Sequence, residues 1–359
     1  MPVFDASHRH QSPPNIATKV PVQNQERLTM SRRYVLISPC RDEAAYIQTT
    51  LNSIAKQSLQ PAKWIIVDDG STDGTQDIIA AAAATHTFIQ VVKRYDRGQR
   101  SVGPGVIEAF YAGYNAIDPS DYDYICKLDV DLDIPATYFE TLIQRMEETP
   151  RLGTCSGKPY FKEKSGELVS ERCGDENSVG MIKLYRTECF HEIGGFVRQV
   201  MWDGIDGHRC RMLGWRACSW DEPALRFIHL RPMGSSQKSI FTGRGRHGAG
   251  QYFMGTDLAY MTASALYRLM APPRLVGSGM MLYGYLKAML TRQERYSDLA
   301  FRQFLRTYQW QCLTQGKAQA TRSLDEKQAE RWNRTHLPEC NQTTKGPESR
   351  FVADSTALI

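Results

Sequence analysis

The chain lacks an apolar run long enough to cross a bilayer, which takes about 20 consecutive apolar residues. The apolar stretch at residues 260–290 is interrupted by Arg268, by two consecutive prolines and by Arg274. Residues 1–30 also lack the apolar core of a signal peptide. We therefore expect a cytoplasmic protein that at most contacts the inner face of the plasma membrane.

The cysteines lack the spacing of a disulfide framework or a structural zinc site. There are nine of them, and no two form a C-x-x-C pair, so we expect reduced thiols. A dense basic stripe is also missing, because the formal net charge is only +5 over 359 residues. This mild charge is compatible with phosphates or anionic headgroups as ligands, but it argues against nucleic acid as a partner.

Composition divides the chain into four predicted parts. Residues 1–30, rich in Pro, Gln, Asn and charge, are expected to be a disordered lead-in. Residues 31–235 carry the pattern of an α/β domain. Residues 236–320 are predicted to form a basic loop and an apolar helical extension, and residues 321–359 a flexible tail.

The α/β domain alternates short apolar runs with segments of helical periodicity. The runs, read as strands, are residues 34–38, 64–69, 88–93 and 122–129, and the helical segments are 43–59, 75–84, 105–117 and 135–148. This order predicts a mostly parallel, Rossmann-like sheet with helices on both faces. Ligands bind such sheets at the carboxyl ends of the strands.

Polar clusters follow three of these strands, at residues 41–43, 68–71 and 129–133. Each alone could be a solvated turn or a helix cap. The third, "DVDLD", crowds Asp129, Asp131 and Asp133 together, and like charges this close are tolerated only around something positive or protonated. Three such clusters on successive strand ends of one sheet predict a cation-dependent site.

The stretches "ISPCRDEAAYIQTTLNSIAKQSLQPAKWIIVDDGSTDGT" and "CKLDVDLDIP" resemble the family 2 glycosyltransferases, which have the GT-A fold. The resemblance extends over residues 33–220, with the opening strand and helix, the DDGSTD turn and the D-x-D element in the family's order. Residues 178–196 resemble its acceptor-side segment, and residues 202–215 the segment with its catalytic base. The resemblance implies a UDP- or GDP-linked sugar donor, Mn²⁺ or Mg²⁺, and inversion at the anomeric carbon.

The resemblance also implies roles for individual residues. Asp131 is the first choice of metal ligand, and Asp129 is expected to contact the ribose or a metal-bound water. Asp133 is a weaker metal candidate, and His229 is either an additional metal ligand or a structural histidine. Arg100 either pairs with a phosphate, stacks on the base or is a solvated arginine. The full predicted nucleotide-sugar site is Pro39, Arg41, Asp42, Glu43, Asp69, Arg100, Asp129 and Asp131.

The acceptor hydroxyl must lose its proton as it attacks, which requires a positioned base. Read back from Gly214-Trp215, the family's Glu-Asp pair falls on Trp202 and Asp203, so only the Asp is retained. We expect Asp203 to be the general base, with Asp206 as the alternative. Both could instead simply stabilise the first turn of a helix.

Two segments beyond residue 235 carry further hypotheses. The stretch "GRGRHGAG" at residues 243–250 reads as a flexible basic loop, whose Arg244, Arg246 and His247 could close over a diphosphate. The stretch at residues 260–290 either packs on the sheet domain or lies in a membrane surface, aided by its basic residues.

The favoured function is a metal-dependent, inverting, non-processive glycosyltransferase of the hexosyltransferase type. Its acceptor would be a glycan or lipid-linked glycan in surface polysaccharide assembly. No Q-x-x-R-W motif follows the expected base, as it would in polymer synthases of the family. A nucleotidyltransferase is an alternative, although "SPCRDEAAY" is not the Gly-rich loop expected there. A catalytically silent module that binds nucleotides or glycans is the other.

Overall fold

The computed structural model describes residues 32–95, 98, 103–163, 165–171, 173–231, 240–269 and 274–337. The predicted lead-in and Arg100 therefore lie outside the described residues. The strands are β1 (Tyr34–Cys40), β2 (Lys63–Asp68), β3 (Ile89–Lys93), β4 (Tyr124–Leu128), β5 (Leu132–Asp133), β6 (Leu152–Ser156), β7 (Lys158–Lys162), β8 (Leu168–Ser170), β9 (Ile182–Arg186), β10 (Arg216–Ser219) and β11 (Arg226–His229).

The helices are α1 (Ile47–Ala55), α2 (Thr75–Thr85), α3 (Pro104–Tyr114), α4 (Tyr138–Glu148), α5 (Thr187–Glu192), α6 (Trp202–Leu213), α7 (Ile240–Met254), α8 (Leu258–Arg268), α9 (Arg274–Leu290), α10 (Leu299–Gln315) and α11 (Lys317–His336). Within these described residues, no helix is both long and apolar enough to cross a membrane.

The main sheet has seven strands in the order β10-β6-β9-β4-β1-β2-β3. The predicted parallel arrangement is confirmed, because β1 pairs in parallel with β2 and β4, and β2 with β3. The carboxyl ends of β1, β2 and β4 therefore meet at one edge. Strand β9 runs antiparallel between β4 and β6. A second sheet, in the order β5-β11-β7-β8, carries the chain beyond Asp131.

Two apolar layers bury the main sheet. Side chains of β1 alternate between them, with Tyr34 and Leu36 in one layer and Val35 and Ile37 in the other, as the period of two in a strand requires. Helices α1 and α4 cover the first layer, and α3, α5 and α6 cover the second. The predicted helices on both faces are thus confirmed.

The predicted loop at residues 243–250 is wrong, because this segment lies inside α7. Its glycines allow close helix packing. A Cβ on Gly248 would lie 1.8 Å from the carbonyl oxygen of Met281 in α9, and one on Gly284 would lie 2.0 Å from that of Gly245. The backbones of α7 and α9 therefore touch at positions where any side chain would clash.

The predicted flexible tail is wrong for the part that the structure describes. Residues 317–336 form α11, which packs Trp332 against Trp215 with ring centroids 5.3 Å apart. An ion pair between Arg151 and Asp325 also ties α11 to the sheet domain. The segment is polar around most of its surface, so its single buried aromatic residue is a weak sequence signal.

Candidate active site

The carboxyl ends of the central strands open into a cavity of about 710 Å³. Most of the predicted site residues come together around it, namely Pro39, Arg41, Glu43, Asp69, Asp129, Asp131, Asp203 and His229. Asp133 does not line this cavity, because it belongs to β5 and pairs with Ile228 of β11.

Asp42 is the predicted donor residue that the structure places elsewhere. It does not line the cavity, and its carboxylate accepts a hydrogen bond from the backbone N–H of Thr72 at 2.8 Å. Its backbone has a φ of +52°, a left-handed conformation that Asp tolerates better than most residues. Asp42 therefore holds the loop after β1 against the DDGSTD turn instead of lining the cavity.

Asp131 lies almost fully buried at the turn between the two sheets, with only 2% of its surface exposed. Its Oδ2 lies 2.7 Å from Arg231 Nε and 3.4 Å from His229 Nε2. Burial opposes ionisation of Asp131, but these two cationic partners outweigh it and hold its pKa below the usual value. Its Oδ1 is buried and has no hydrogen-bond partner among the described residues, which is costly unless a ligand completes the site.

His229, the last residue of β11, is fixed from both sides. Its Nδ1 lies 2.9 Å from Glu171 Oε2, and its Nε2 faces Asp131. Burial disfavours the charged ring, but the two carboxylates outweigh burial and raise the pKa of His229 to about 9. Glu171 was missed from the sequence, because nothing local shows that the β8 end meets β11.

Arg231 was also missed, although it completes the site. It bridges Asp131 and Glu43, whose Oε1 lies 2.7 Å from its Nη2, and its guanidinium lies 5.4 Å from the ring centroid of Tyr46. A signal was present in "RFIHLRP". Residues two apart along an extended chain point the same way, so a role for His229 implies one for Arg231.

Asp129 is held by a lysine of the strand that it follows, β4, and Asp69 by arginines that follow the neighbouring strands β3 and β1. The ammonium of Lys127, itself 2% exposed, donates to Asp129 Oδ1 at 2.5 Å and to the carbonyl of Gly180 at 2.9 Å. Asp69 pairs with Arg94 at 2.8 Å, and its carbonyl accepts from Arg41 at 2.6 Å. Two of the predicted donor carboxylates are thus oriented before any ligand binds.

The two candidates for the catalytic base have different surroundings. Asp203, in the first turn of α6, is exposed and lines the cavity. Asp206 is 1% exposed, lies 2.5 Å from the ammonium of Lys183 and accepts a hydrogen bond from the Tyr185 hydroxyl. A base must reach the acceptor hydroxyl, so only Asp203 has suitable surroundings.

Trp202, in place of the family's Glu, is buried beside Asp203. Its ring centroid lies 5.3 Å from the Lys127 ammonium and 5.7 Å from that of Lys183. Its ring also packs edge-on against Phe196 at 4.7 Å. The aromatic residue thus contacts two buried cations at the base of the cavity.

The residues around Asp131 fit a hard divalent cation. Carboxylate oxygens are the preferred ligands of Mg²⁺, and Mn²⁺ accepts oxygen and imidazole nitrogen. The observation that favours such an ion is the buried Oδ1 of Asp131, which has no hydrogen-bond partner in the part of the chain that the structure describes. Asp129 lines the same cavity and offers carboxylate oxygens, whereas His229 offers a nitrogen to an ion only once its ring has lost a proton.

The family model described as glycosyl transferase family 2 matches residues 35–202, from β1 to the first residue of α6. This segment, a little under half of the chain, belongs to glycosyltransferase family 2. Its mixed, mostly parallel sheet with C-terminal helices is the GT-A-like architecture expected of that family. The family 2 segment includes the predicted D-x-D carboxylates, Asp129 and Asp131, which lie at the cavity wall.

Among curated proteins, the chain is similar to the poly-beta-1,6-N-acetyl-D-glucosamine synthase of Staphylococcus aureus strain COL. The two are 29% identical over 151 residues, which are 41% of this chain and 34% of that protein. The Staphylococcus epidermidis synthase of the same name is 29% identical over 131 residues, 36% of this chain and 29% of its own. The match thus spans about a third of the length of these relatives.

Among solved structures, the chain is similar to the mannosyltransferase PcManGT from Pyrobaculum calidifontis in complex with GDP-Man and Mn²⁺. The identity is 18%, the alignment covers 86% of this chain and 88% of that one, and the TM-score is 0.45. It is also similar to S. aureus TarS 1-349 in complex with UDP-GlcNAc, with 16% identity, coverage of 84% and 92%, and a TM-score of 0.44.

Proposed function

We propose that this protein transfers a sugar from a UDP- or GDP-linked donor to a hydroxyl acceptor, with Mn²⁺ or Mg²⁺ and with inversion. The proposal is carried by two features of one cavity: a buried Asp131 oxygen that has no hydrogen-bond partner among the described residues, and an exposed Asp203. The first suits a cation that holds phosphates, and the second suits a base that takes a proton.

On the donor side, Asp131 would hold the metal ion together with Asp129 and His229. The ion would neutralise the charge that develops on the departing diphosphate. Arg231 keeps Asp131 ionised and fixed in position, because it contacts both Asp131 and Glu43. Asp69 and Glu43, with Pro39 and Arg41, would form the pocket for the base and ribose.

On the acceptor side, Asp203 would accept the proton of the attacking hydroxyl. Its backbone carbonyl accepts a hydrogen bond from the Lys183 ammonium at 3.1 Å, so the first turn of α6 is fixed to β9. Asp203→Asn should lower kcat by about 10²–10⁴-fold, the usual worth of a general base, and leave nucleotide affinity unchanged. Asp77→Asn, an exposed change in the first turn of α2, is the matched control.

The acceptor is proposed to be a glycan or lipid-linked glycan used in surface polysaccharide assembly. Part of the support is the similarity to a poly-beta-1,6-N-acetyl-D-glucosamine synthase. The rest comes from the C-terminal helices, which expose large apolar side chains, including Tyr267 (80%), Leu266 (60%), Tyr283 (56%) and Leu290 (77%). Such a surface suits peripheral contact with a membrane that carries the acceptor.

The donor half of the proposal is tested by thermal denaturation with UDP, GDP and their sugars, in Mn²⁺, Mg²⁺ or EDTA. A nucleotide at 100 times its dissociation constant stabilises the fold by about 2.7 kcal/mol. We expect this stabilisation only with metal, and we expect Asp131→Asn to abolish it. Asp133→Asn, two residues away and outside the cavity, should retain it.

Two results would contradict the proposed donor site. One is the absence of any nucleotide-dependent shift under every metal condition, which would favour a silent binding module. The other is an equal loss in both aspartate variants, which would mean that the loop after β4, and not the Asp131 carboxylate, is responsible.

A further inference from the structure

The cations that line the donor side of the cavity are matched by acidic groups. Arg231 pairs with Asp131 and Glu43, and Lys127 pairs with Asp129. Each of these cations thus offsets a carboxylate of the same wall. They leave little net positive charge there for a second anion.

Two further arginines of the cavity wall, Arg246 and Arg268, differ from these. Both are half-buried, and neither forms an ion pair with a carboxylate among the described residues. Burial lowers the pKa of both guanidinium groups, and Arg244 lowers that of Arg268 further. Within the described part of the chain, Arg268 donates a hydrogen bond to Ser264, one turn earlier in α8. Half-buried cations without a counter-ion cost free energy unless an anion completes them.

Arg246 lies on the face of α7 that meets the start of α6. Gly250, one turn further on and hence on the same face, approaches Met201 so closely that a Cβ there would lie 2.6 Å from its Cγ. Met201 precedes α6, which carries Asp203 in its first turn. Arg246 is therefore directed to the acceptor end of the cavity.

His247 follows Arg246 in α7, and its Nε2 lies 3.4 Å from the side-chain amide of Gln251, which lines the cavity. Burial lowers the pKa of His247 to about 4, and the charges of Arg268 and Asp203 also act on it, in opposite directions. This histidine does not itself line the cavity, and neither does Arg244, so of the predicted basic loop only Arg246 reaches the wall.

We propose that Arg246 and Arg268 form a subsite for an anionic group, a phosphate or a carboxylate, on the acceptor. This inference rests on the proposed function, since it presumes that Asp203 activates an acceptor hydroxyl. Arginine suits the role because its planar guanidinium forms paired hydrogen bonds with phosphate and carboxylate oxygens. The acceptor is thus an acidic glycan or a phosphate-bearing molecule.

The test is titration calorimetry on the full chain loaded with Mg²⁺ and saturating UDP or GDP. The probes are glycerol 3-phosphate for the phosphate class and glucuronate for the carboxylate class, with glycerol and glucose as neutral controls at constant ionic strength. We expect saturable binding of at least one anion and none of its neutral control. The anion that binds shows whether the subsite recognises a phosphate or a carboxylate.

Four variants complete the design. Arg246→Gln/Arg268→Gln should weaken anion binding at least tenfold while the nucleotide dissociation constant stays within twofold. Arg246→Lys/Arg268→Lys should recover part of the affinity, since charge is retained. Arg334→Gln, exposed on α11 and away from the cavity, is the matched control. Asp131→Asn should lose nucleotide but still bind the anion.

The inference is overturned if neither anion binds saturably to wild type, or if the glutamine variant binds as well as wild type. It is also overturned if that variant loses nucleotide affinity by the same factor, since the arginines would then hold the donor diphosphate. Failure of the proposed function looks different. Wild type would then bind no nucleotide, and the anion titration without nucleotide would still report on the arginines.

Discussion

The buried ion pair between Lys183 and Asp206 supports a quantitative prediction. The two side chains are 0% and 1% exposed and lie 2.5 Å apart. The Tyr185 hydroxyl donates to the same carboxylate, and the Lys183 ammonium also donates to the carbonyl of Asp203. Lys183→Met removes the one cation in this group and retains most of the apolar volume of the side chain.

The magnitude follows from the geometry. At an effective dielectric constant of about 20, opposite unit charges at this separation attract by roughly 6–7 kcal/mol, and desolvation of both offsets part of that. Lys183→Met leaves the Asp206 charge buried beside a neutral side chain, so we expect a loss of about 3–5 kcal/mol in the free energy of unfolding. Lys183→Met/Asp206→Asn removes both charges but keeps an acceptor for Tyr185. It should therefore be at least ~2 kcal/mol more stable than the single variant.

Urea denaturation, followed by tryptophan fluorescence, measures all three proteins, with the exposed Lys327→Met as the matched control. A loss below about 1 kcal/mol for Lys183→Met would show that Asp206 is neutral in the native protein. A double variant less stable than the single one would refute the reasoning from an uncompensated charge.

Further changes test other parts of the structure. The pKa of His208 is lowered to about 3, first by burial and then by Arg211 and Lys317, so protonation favours unfolding. The contribution of neutral His208 to the free energy of unfolding should be complete above pH ~6.5 and fall by about 1.4 kcal/mol per pH unit below it. In urea titrations from pH 7 to 5, His208→Gln should flatten that slope. Trp332→Ala should lower the free energy of unfolding by about 3–5 kcal/mol. A loss of less than about 1 kcal/mol by the same assay would mean that Trp332 does not anchor α11 to the sheet domain. Leu266→Ser/Tyr267→Ser should reduce co-sedimentation of the protein with anionic liposomes. If the same fraction of protein still pellets, the proposed contact of this surface with a membrane is wrong.

Local patterns were sufficient to predict the part of the site that follows the parallel strands β1, β2 and β4. Polar clusters at residues 41–43, 68–71 and 129–133 marked the ends of short apolar runs, and parallel strands bring such ends to one edge of the sheet. The predicted sheet and the convergence of Asp69, Asp129 and Asp131 therefore needed only periodicity and chain order. Asp42 lies in the turn and not at the cavity wall, a distinction that the local sequence does not make, because a turn and a pocket that each need a carboxylate look the same.

The rest of the site depends on contacts between distant segments. His229 is held by Glu171, 58 residues earlier, and Asp131 by Arg231, 100 residues later. These contacts arise from the second sheet, whose strands of two to five residues are too short to give a periodic signal. The glycines of residues 243–250 were read as flexibility, whereas they permit helix contact, and only the partner helix α9 distinguishes the two.

A pair of lysines connects the donor side of the site to its acceptor side. Lys127 of β4 and Lys183 of β9 are direct partners in the antiparallel ladder, an arrangement that repulsion disfavours. Lys127 is compensated by Asp129, Lys183 by Asp206, and the Trp202 ring contacts both ammonium groups. A glutamate at Trp202, as in the family's usual pair, would add a charge where both cations already have partners.

This arrangement gives the lysine pair a positioning role. Lys127 orients Asp129 on the donor side, and Lys183 holds the first turn of α6, with Asp203, on the acceptor side. Because both lysines belong to paired strands of one sheet, the separation between the two carboxylates is set by rigid backbone. Sugar transfer requires a constant separation between these carboxylates, because the donor carbon and the attacking hydroxyl must be held in line. A loss of Lys183 should therefore lower kcat more than nucleotide affinity.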